Sequence, residues 1–173
     1  MGRAASSNKS RISTKELVTM AAICAIMTAG KELMNFLPNI HPVTVLTIFA
    51  TLLLGWKALY PVAGFAFLEM CIYGVSLWSG MYFIVWPLLV CVSMAFRQSR
   101  DWVFWAIISG AFGLCFGAFY AIPYLIVSGP QTALSFWLAG LSFDAVHCVA
   151  SFFMTLVFLP ILCRLAKAMG YKI

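Results

Sequence analysis

Three pairs of polar side chains occur at helical spacing inside apolar stretches of this sequence. Residues three or four positions apart lie on the same face of a helix, so the members of each pair can act together. An ionised side chain inside an apolar segment is costly unless it is paired or lines a wet cavity. Such positions are therefore candidates for ligand binding or for structural pairing. The pairs are Lys31 with Asn35, Glu69 with Tyr73, and Asp144 with His147.

Two interpretations of these ionisable groups stay open at the level of sequence. In the first, the charges neutralise one another, with Lys31 beside Glu69 or Glu32. In the second, Lys31 and Glu69 contact a ligand in a shared cavity. For Asp144 and His147 we favour the first interpretation, a structural polar pair.

Aromatic and amide side chains cluster near the same ends of the predicted helices, where few unpaired charges occur. Such a lining suits a bulky, largely neutral ligand with apolar edges and amide groups. Within this set, His41 can approach a metal-containing ligand through a ring nitrogen, or it can be a loop histidine exposed to solvent. The set comprises Asn35, Asn39, His41, Trp78, Tyr82, Trp86, Tyr120, Tyr124, Gln131 and Trp137.

Motifs for catalysis are absent from the sequence. It contains no G-x-S-x-G, no H-E-x-x-H and no G-x-x-x-x-G-K-[ST], so we expect neither an enzyme nor a subunit that binds ATP itself. Its six cysteines form no C-x-x-C pair, and no metal site or intrinsic cofactor is expected.

Composition indicates an all-α integral membrane protein. Of 173 residues, 64% are hydrophobic and 9% are charged, whereas soluble domains are about half apolar and about a quarter charged. The expected domains are a cytoplasmic N-terminal tail, 1–13, and a six-helix membrane domain, 14–173. The six transmembrane helices are predicted at 14–37, 43–56, 60–77, 81–96, 102–127 and 132–168, with a break at Gly140 and a kink at Pro160.

The basic residues predict how these helices are oriented. Ten of the eleven lie in the tail or in alternate turns, and Lys31 is the exception. By the positive-inside rule, both chain ends are cytoplasmic (N-in/C-in). Basic residues dispersed in this way favour contact with the lipid bilayer, and no nucleic-acid partner is expected. The ten are Arg3, Lys9, Arg11, Lys15, Lys57, Arg97, Arg100, Arg164, Lys167 and Lys172.

Two strips of small residues allow close approach between helices. Ala21, Ala25 and Ala29 recur every four residues on predicted helix 1, and spacing alone leaves open whether they face a partner or the protein interior. On predicted helix 5, a second strip is interpreted as internal packing. It consists of Gly113, Gly117 and Ala121.

The chain resembles the S components of energy-coupling factor (ECF) vitamin transporters over about residues 14–168. The alanine strip falls where this family presents an alanine motif to its T component. The segments 37–43 (LPNIHPV) and 140–147 (GLSFDAVH) are similar to a subgroup that handles cobalamin-type substrates. The resemblance thus implies an S-component-like bundle of six helices in the bacterial cytoplasmic membrane.

The resemblance also implies a function. An S component is the substrate-binding subunit of an ECF-type ABC importer, and it captures a vitamin from outside. It delivers the vitamin inward with a T component and two cytoplasmic ATPases, and Ala21, Ala25 and Ala29 are the implied T-component interface. Cobalamin (vitamin B12) is the expected substrate. The expected substrate-binding residues are Lys31, Asn35, Asn39, His41, Glu69, Tyr73, Trp86, Tyr120, Tyr124 and Trp137.

Other functions stay open. The first alternative is the same family with another vitamin, such as pantothenate, a pyridoxine-like compound or a queuosine precursor. The second is a membrane scaffold that binds no small ligand. An intramembrane enzyme is disfavoured, because the sequence offers no evident nucleophile–base pair.

Overall fold

The structure is a computed structural model that describes residues 12–171 and residue 173. All regular secondary structure in this part of the chain is helical, as the sequence predicts. Most of the expected tail, 1–13, and its basic residues lie outside the described residues, as does Lys172. The helices are α1 (Thr14–Leu33), α2 (Val43–Leu54), a 3₁₀ turn (Gly55–Ala58), α3 (Leu59–Tyr73), α4 (Leu77–Ala95), α5 (Trp102–Leu114), α6 (Phe116–Ser128) and α7 (Pro130–Ala168).

Helix α1 is shorter than predicted, because it ends at Leu33 rather than at residue 37. It begins with a capping box, in which the Glu16 backbone N–H donates to Ser13 and the Glu16 carboxylate accepts from the Ser13 backbone. Pro38 disfavours a helical conformation at Leu37, so the chain leaves the helix in turns. Because α1 ends early, the loop between α1 and α2 is longer than predicted. This loop lies at one end of the bundle.

Helix α2 forms the centre of the bundle. All ten residues from 43 to 52 are buried, and the helix packs against α1, α4 and α7. A helix that is apolar on every side is expected in such an interior position. It ends at Leu54, two residues earlier than predicted, because Gly55 has a φ of +62° and turns the chain into the 3₁₀ segment.

The connection between α3 and α4 also differs from the prediction. Helix α3 ends at Tyr73, and α4 begins at Leu77, four residues before the predicted start. Gly74 has a φ of +79°, a left-handed conformation that glycine adopts without steric cost. Ser76 then caps α4 in a reciprocal arrangement with Ser79. The turn therefore lies around Gly74 and not between residues 77 and 81, where the sequence predicts it.

Two helices replace the predicted helix 5. Helices α5 and α6 are separated at Cys115, and the Gly117 backbone N–H near the start of α6 donates to Asp144 Oδ1 at 2.9 Å. Both helices pack along α7. The break is thus stabilised by a buried carboxylate on the neighbouring helix, a contact between residues distant in sequence.

Helix α7 is continuous, so the predicted break at Gly140 is wrong. The helix runs for 39 residues and includes both Gly140 and Pro160. One glycine in a helix interior costs about 1 kcal/mol of stability. The packing of α7 against α5 and α6 along its length offsets this cost.

The small residues of α5 and α6 pack internally, as the sequence predicts. A Cβ at Gly113 would lie 2.8 Å from the His147 carbonyl oxygen, and a Cβ at Gly117 would overlap the Asp144 carboxylate. Ala121 is buried on the same side of α6. The strip therefore brings α5 and α6 close to α7.

Four helical segments in the described part of the chain are long and apolar enough to cross a membrane, rather than the six predicted. Helix α1 does not meet this criterion, since charged residues occupy both of its ends. The region from α2 to α3 counts as a single segment because the 3₁₀ turn leaves no gap. The segments are Val43–Tyr73, Leu77–Ala95, Trp102–Ser128 and Pro130–Ala168. They indicate a membrane protein.

Candidate ligand-binding cavity

A cavity of about 450 Å³ lies at one end of the bundle. Its walls come from the C-terminal ends of α1 and α3, the loop between α1 and α2, the start of α4 and one residue of α6. The volume falls within the range of about 300–1,000 Å³ that small-molecule sites occupy. The lining residues are Lys31, Met34, Asn35, Leu37, Pro38, Asn39, Ile40, His41, Glu69, Tyr73, Ser76, Trp78, Ser79, Tyr82 and Phe116.

Lys31 is the centre of an ionic cluster in this cavity. Its Nζ lies 2.6 Å from Glu69 Oε2 and 3.2 Å from Glu32 Oε1. The ammonium group also lies 4.5 Å from the centroid of the Tyr73 ring, within cation–π distance. The sequence left open whether Lys31 pairs with Glu69 or with Glu32, and the structure has both contacts.

Tyr73 and Asn35 extend this cluster by hydrogen bonds. The Tyr73 hydroxyl donates to the Glu32 carboxylate, 2.8 Å from Oε2, and accepts from Asn35 Nδ2 at 3.1 Å. Helices α1 and α3 pack together, which brings these residues to one wall. The two i, i+4 pairs of the sequence thus form a single network.

Glu69 keeps one oxygen free. The residue is 1% exposed, and its Oε1 has no hydrogen-bond partner among the described residues. Oε2 contacts Lys31 at ion-pair distance, although the angle is not that of a hydrogen bond. A buried carboxylate oxygen without a partner is costly, so Oε1 is a ready acceptor for a donor inside the cavity.

Asn39 fastens the loop between α1 and α2 to α7. Its φ of +60° is tolerated by asparagine better than by most residues, and its Nδ2 donates to the Phe143 carbonyl oxygen at 3.1 Å. Asn39 lines the cavity as predicted, but its amide N–H is engaged with the protein itself. Its main contribution here is to hold the loop in place.

His41 belongs to the cavity floor rather than to the solvent-exposed loop surface. The residue is half-buried, and its Nδ1 is fully buried without a hydrogen-bond partner among the described residues. Its ring meets the Trp86 and His147 rings edge-on, at centroid distances of 6.0 and 5.0 Å. Burial, followed by His147 and Lys31, lowers the pKa of His41 from 6.5 to about 3, so the ring is neutral near pH 7.

Aromatic side chains form part of the cavity lining and the layer behind it. The Trp78 ring packs on the Tyr120 ring at a centroid distance of 4.1 Å with a tilt of 36°, and the Tyr120 hydroxyl donates to the Trp78 carbonyl oxygen. Phe116 in turn stacks on Tyr120. Tyr120 and Trp86 are almost fully buried behind the lining, so they support the cavity and do not border it.

Two predicted binding residues lie away from the cavity. Tyr124 stacks on Phe136 of α7 at a centroid distance of 4.4 Å, and Trp137 is 37% exposed on the surface of α7. Neither lines the cavity. Because α7 is continuous, Trp137 stays on the surface of that helix, and the binding role predicted for these two residues gains no support from the cavity.

Asp144 and His147 do not form the predicted structural pair. Asp144 accepts from the Gly117 backbone, whereas His147 Nε2 lies 3.3 Å from Thr44 Oγ1. The two residues are neighbours on α7, but each is directed to a different helix. The buried polar contact of His147 is therefore with α2 and not with the carboxylate.

Several lining residues were not predicted from the sequence as binding residues. Ser76 and Ser79 carry a recognisable S-x-x-S capping signal, which could have placed the start of α4 at this wall. Met34 and Phe116 have no such signal, because their position depends on how the loop and α6 pack.

The alanine strip lies on the surface of α1. Ala21, Ala25 and Ala29 are all exposed, whereas Met20, Ile23 and Met27 face the core. The strip is thus available to a partner helix or to lipid.

Comparison of the chain with protein-family models, with curated proteins and with solved structures found no match. The described residues contain no group of three or more His, Cys, Asp or Glu that could hold a metal ion. The fold and the site define an all-helical membrane protein with a small-molecule-sized cavity at one end.

Proposed function

We propose that this chain is the substrate-binding S component of an ECF-type ABC importer. In this role it captures a vitamin from outside and delivers it inward with a T component and two cytoplasmic ATPases. The observation that carries the proposal is the polar and aromatic cavity, which lies at the end of the bundle away from the basic turns. Lys57, Arg97 and Arg100 lie at the opposite ends of α3 and α4 from the cavity.

The proposed topology has six crossings and both chain ends in the cytoplasm. Helices α1, α2, α3 and α4, the combined α5–α6 unit, and α7 each provide one crossing. Basic residues at the cytoplasmic side then leave the cavity open to the outside, where an importer must collect its substrate. The short α2 is surrounded by other helices and needs no lipid-facing length of its own.

The proposed partner surface is the alanine strip of α1. The exposure of Ala21, Ala25 and Ala29 supports this assignment, because small exposed residues at four-residue spacing allow another helix to approach closely.

The cavity volume bears on the choice of vitamin. A volume of about 450 Å³ suits a compound of pyridoxine or pantothenate size, whereas a whole cobalamin is larger than the enclosed space. Cobalamin stays a candidate only if part of the corrinoid remains outside the cavity or the loop between α1 and α2 moves away. We therefore place the smaller vitamins first.

Calorimetry of the purified chain in detergent tests the proposal. We expect one compound from a panel of vitamins, including cobalamin, to bind tightly and with one-to-one stoichiometry. Uptake into vesicles should then require a T component and both ATPases together with this chain. If the folded protein binds no compound in the panel, the scaffold function becomes the better explanation.

A further inference from the structure

The one lysine or arginine among the described residues that line the cavity already faces two carboxylates of the protein. A lysine ammonium group has three N–H donors and no acceptor. The Lys31 ammonium donates to Glu32 Oε1 at 3.2 Å, lies at ion-pair distance, 2.6 Å, from Glu69 Oε2, and lies 4.5 Å from the centroid of the Tyr73 ring. A ligand carboxylate or phosphate would therefore compete with two carboxylates for this ammonium.

The same cluster leaves the cavity short of positive charge. One ammonium and two carboxylates sum to −1 when all three groups are ionised, and the neutral His41 ring adds nothing to this sum. An added anion would be repelled in a site where the surroundings screen charge poorly. An added cation would bring the cluster to neutrality.

Buried acceptors without a hydrogen-bond partner also favour a ligand that carries positive charge and donates N–H. Glu69 Oε1 is a buried acceptor with no partner among the described residues, and an ionised carboxylate can only accept. His41 Nδ1 is likewise buried and without a partner there. A buried acceptor without a partner costs more free energy than an ordinary hydrogen bond gains. A ligand that donates to Glu69 therefore removes this cost.

The aromatic wall sets the shape of the ligand. Trp78, Tyr82 and Phe116 line the cavity together with Lys31 and Glu69. Aromatic faces of this kind stack on planar rings and attract positive charge. The volume admits one small ring system rather than an extended chain of rings.

We infer that the ligand is a small planar heteroaromatic molecule whose positively charged, N–H-donating nitrogen binds Glu69 while its ring stacks on the Trp78 and Tyr82 wall. This inference rests on the proposed function, since it specifies the substrate class of the same cavity. It disfavours ligands whose main recognition group is a carboxylate or a phosphate, because two carboxylates of the protein already face the Lys31 ammonium.

A matched series of probes tests the inference on the wild-type chain. Pyridoxamine, pyridoxine and 4-pyridoxic acid share one ring and differ mainly in one substituent, which is an ammonium, a hydroxyl or a carboxylate. Thiamine adds a cationic heteroaromatic whose charged ring nitrogen carries no hydrogen, and pantothenate and biotin add anions without an aromatic ring. We expect the tightest binding from pyridoxamine, whose charged nitrogen donates N–H, at least about tenfold tighter than any anionic member of the panel.

The outcomes separate this inference from the proposed function. A tight anionic or uncharged hit would overturn the inference and leave the function as a binding subunit intact. A folded chain that binds nothing in the panel would overturn both.

A variant pair then tests the role of Glu69. Glu69→Gln should weaken the cationic probe by about tenfold or more and leave an uncharged member of the series nearly unaffected, because it removes the charge but keeps the shape. Glu16→Gln is the matched control, since Glu16 pairs with Lys57 at the other end of α1 and should not change binding. Equal weakening of charged and uncharged probes would contradict the assignment. If Glu69→Gln does not fold, the comparison of the charged and uncharged probes on the wild-type chain still decides the inference.

Discussion

At the residue scale, the ion pair of Lys31 and Glu69 places two charges in the interior of the fold. Both charges leave water, and Glu69 is almost completely buried. Desolvation of such a pair can offset its attraction, so the pair need not stabilise the protein relative to apolar residues. Loss of one partner destabilises the protein, because the remaining charge is then buried without its counter-ion.

The first prediction concerns this asymmetry. Lys31→Met should lower the free energy of unfolding by about 3–5 kcal/mol, since two carboxylates lose their counter-ion. The double variant Lys31→Met/Glu69→Gln should recover a large part of that loss. Thermal unfolding in detergent of the wild type, both single variants and the double variant measures the coupling. Simple additivity of the single effects would show that the pair contributes no direct interaction.

The second prediction concerns pH. The pKa of His41 is about 3 in the folded protein, below its ordinary value of 6.5, because of burial and the nearby His147 and Lys31. Between these two values the unfolded chain binds a proton that the folded chain does not. The free energy of unfolding should therefore fall as the pH decreases below about 6.5, by at most about 1.4 kcal/mol per pH unit.

His41→Gln isolates this effect from that of other groups. The variant keeps a polar side chain but cannot titrate, so its stability should depend less steeply on pH. Melting temperatures measured between about pH 7.5 and about pH 4.5 give both slopes. Identical slopes for the variant and the wild type would mean that His41 takes up a proton without cost in the folded state.

At the scale of elements, α5, α6 and α7 depend on the absence of side chains at the positions where they meet. A Cβ at Gly113 would meet backbone atoms of His147, which cannot move aside as a flexible side chain would. By contrast, a Cβ at Gly140 of α7 would meet nothing within 4 Å. The two glycines are alike in sequence context but differ in packing.

The third prediction compares these glycines. Gly113→Ala should lower the free energy of unfolding by about 1–3 kcal/mol through overpacking between α5 and α7. Gly140→Ala, the control, should raise it by about 0.5–1 kcal/mol, because alanine is the better helix former in a continuous helix. Chemical or thermal unfolding of both variants measures which substitution lowers the free energy of unfolding and which raises it. Destabilisation by Gly140→Ala would favour a break in α7 after all.

The fourth prediction concerns α1. Ala25→Trp should abolish transport by the assembled importer while the isolated chain still binds its ligand, because Ala25 is exposed and lies in the alanine strip. Val149→Trp is the control, since Val149 is an exposed residue on the distant α7. Uptake assays and calorimetry separate the two functions. Loss of ligand binding in Ala25→Trp would assign Ala25 to internal packing.

At the scale of the whole molecule, the candidate ligand-binding cavity lies at the opposite end of the bundle from Lys57, Arg97 and Arg100. The cytoplasmic end proposed here is held together by contacts between distant segments. Glu16 pairs with Lys57 at 2.7 Å, and Lys15 donates to the Met169 carbonyl oxygen at 2.9 Å. These contacts join the start of α1 to the 3₁₀ turn and to the end of α7, so the start of α1 and the end of α7 lie at the same end of the bundle.

The fifth prediction tests the orientation. In a cysteine-free background, a cysteine at Asn39 or Ser128 should react with an impermeant maleimide added outside intact cells. A cysteine at Gln98 should react only after the membrane is opened. The reverse pattern would invert the proposed topology and place the cavity toward the cytoplasm.

Much of the site could be predicted from sequence, because polar residues at helical spacing in apolar segments are rare and costly. Lys31, Asn35, Glu69 and Tyr73 were found in this way, and they form one network. Tyr124 and Trp137 lie away from the cavity, and sequence could not show this, because an aromatic residue near a helix end can face a cavity, a neighbouring helix or lipid with the same local pattern.

The sequence by itself determined the helical class, the alternation of basic residues and the pairs that share a helix face, since these depend on composition and on the 3.6-residue period. Only the tertiary structure decided that α1 stops at Leu33, that α5 and α6 separate at Cys115, and that α7 continues through Gly140. It also decided that Lys31 meets two carboxylates at once. Contacts between residues far apart in the chain set these features, and no local pattern records them.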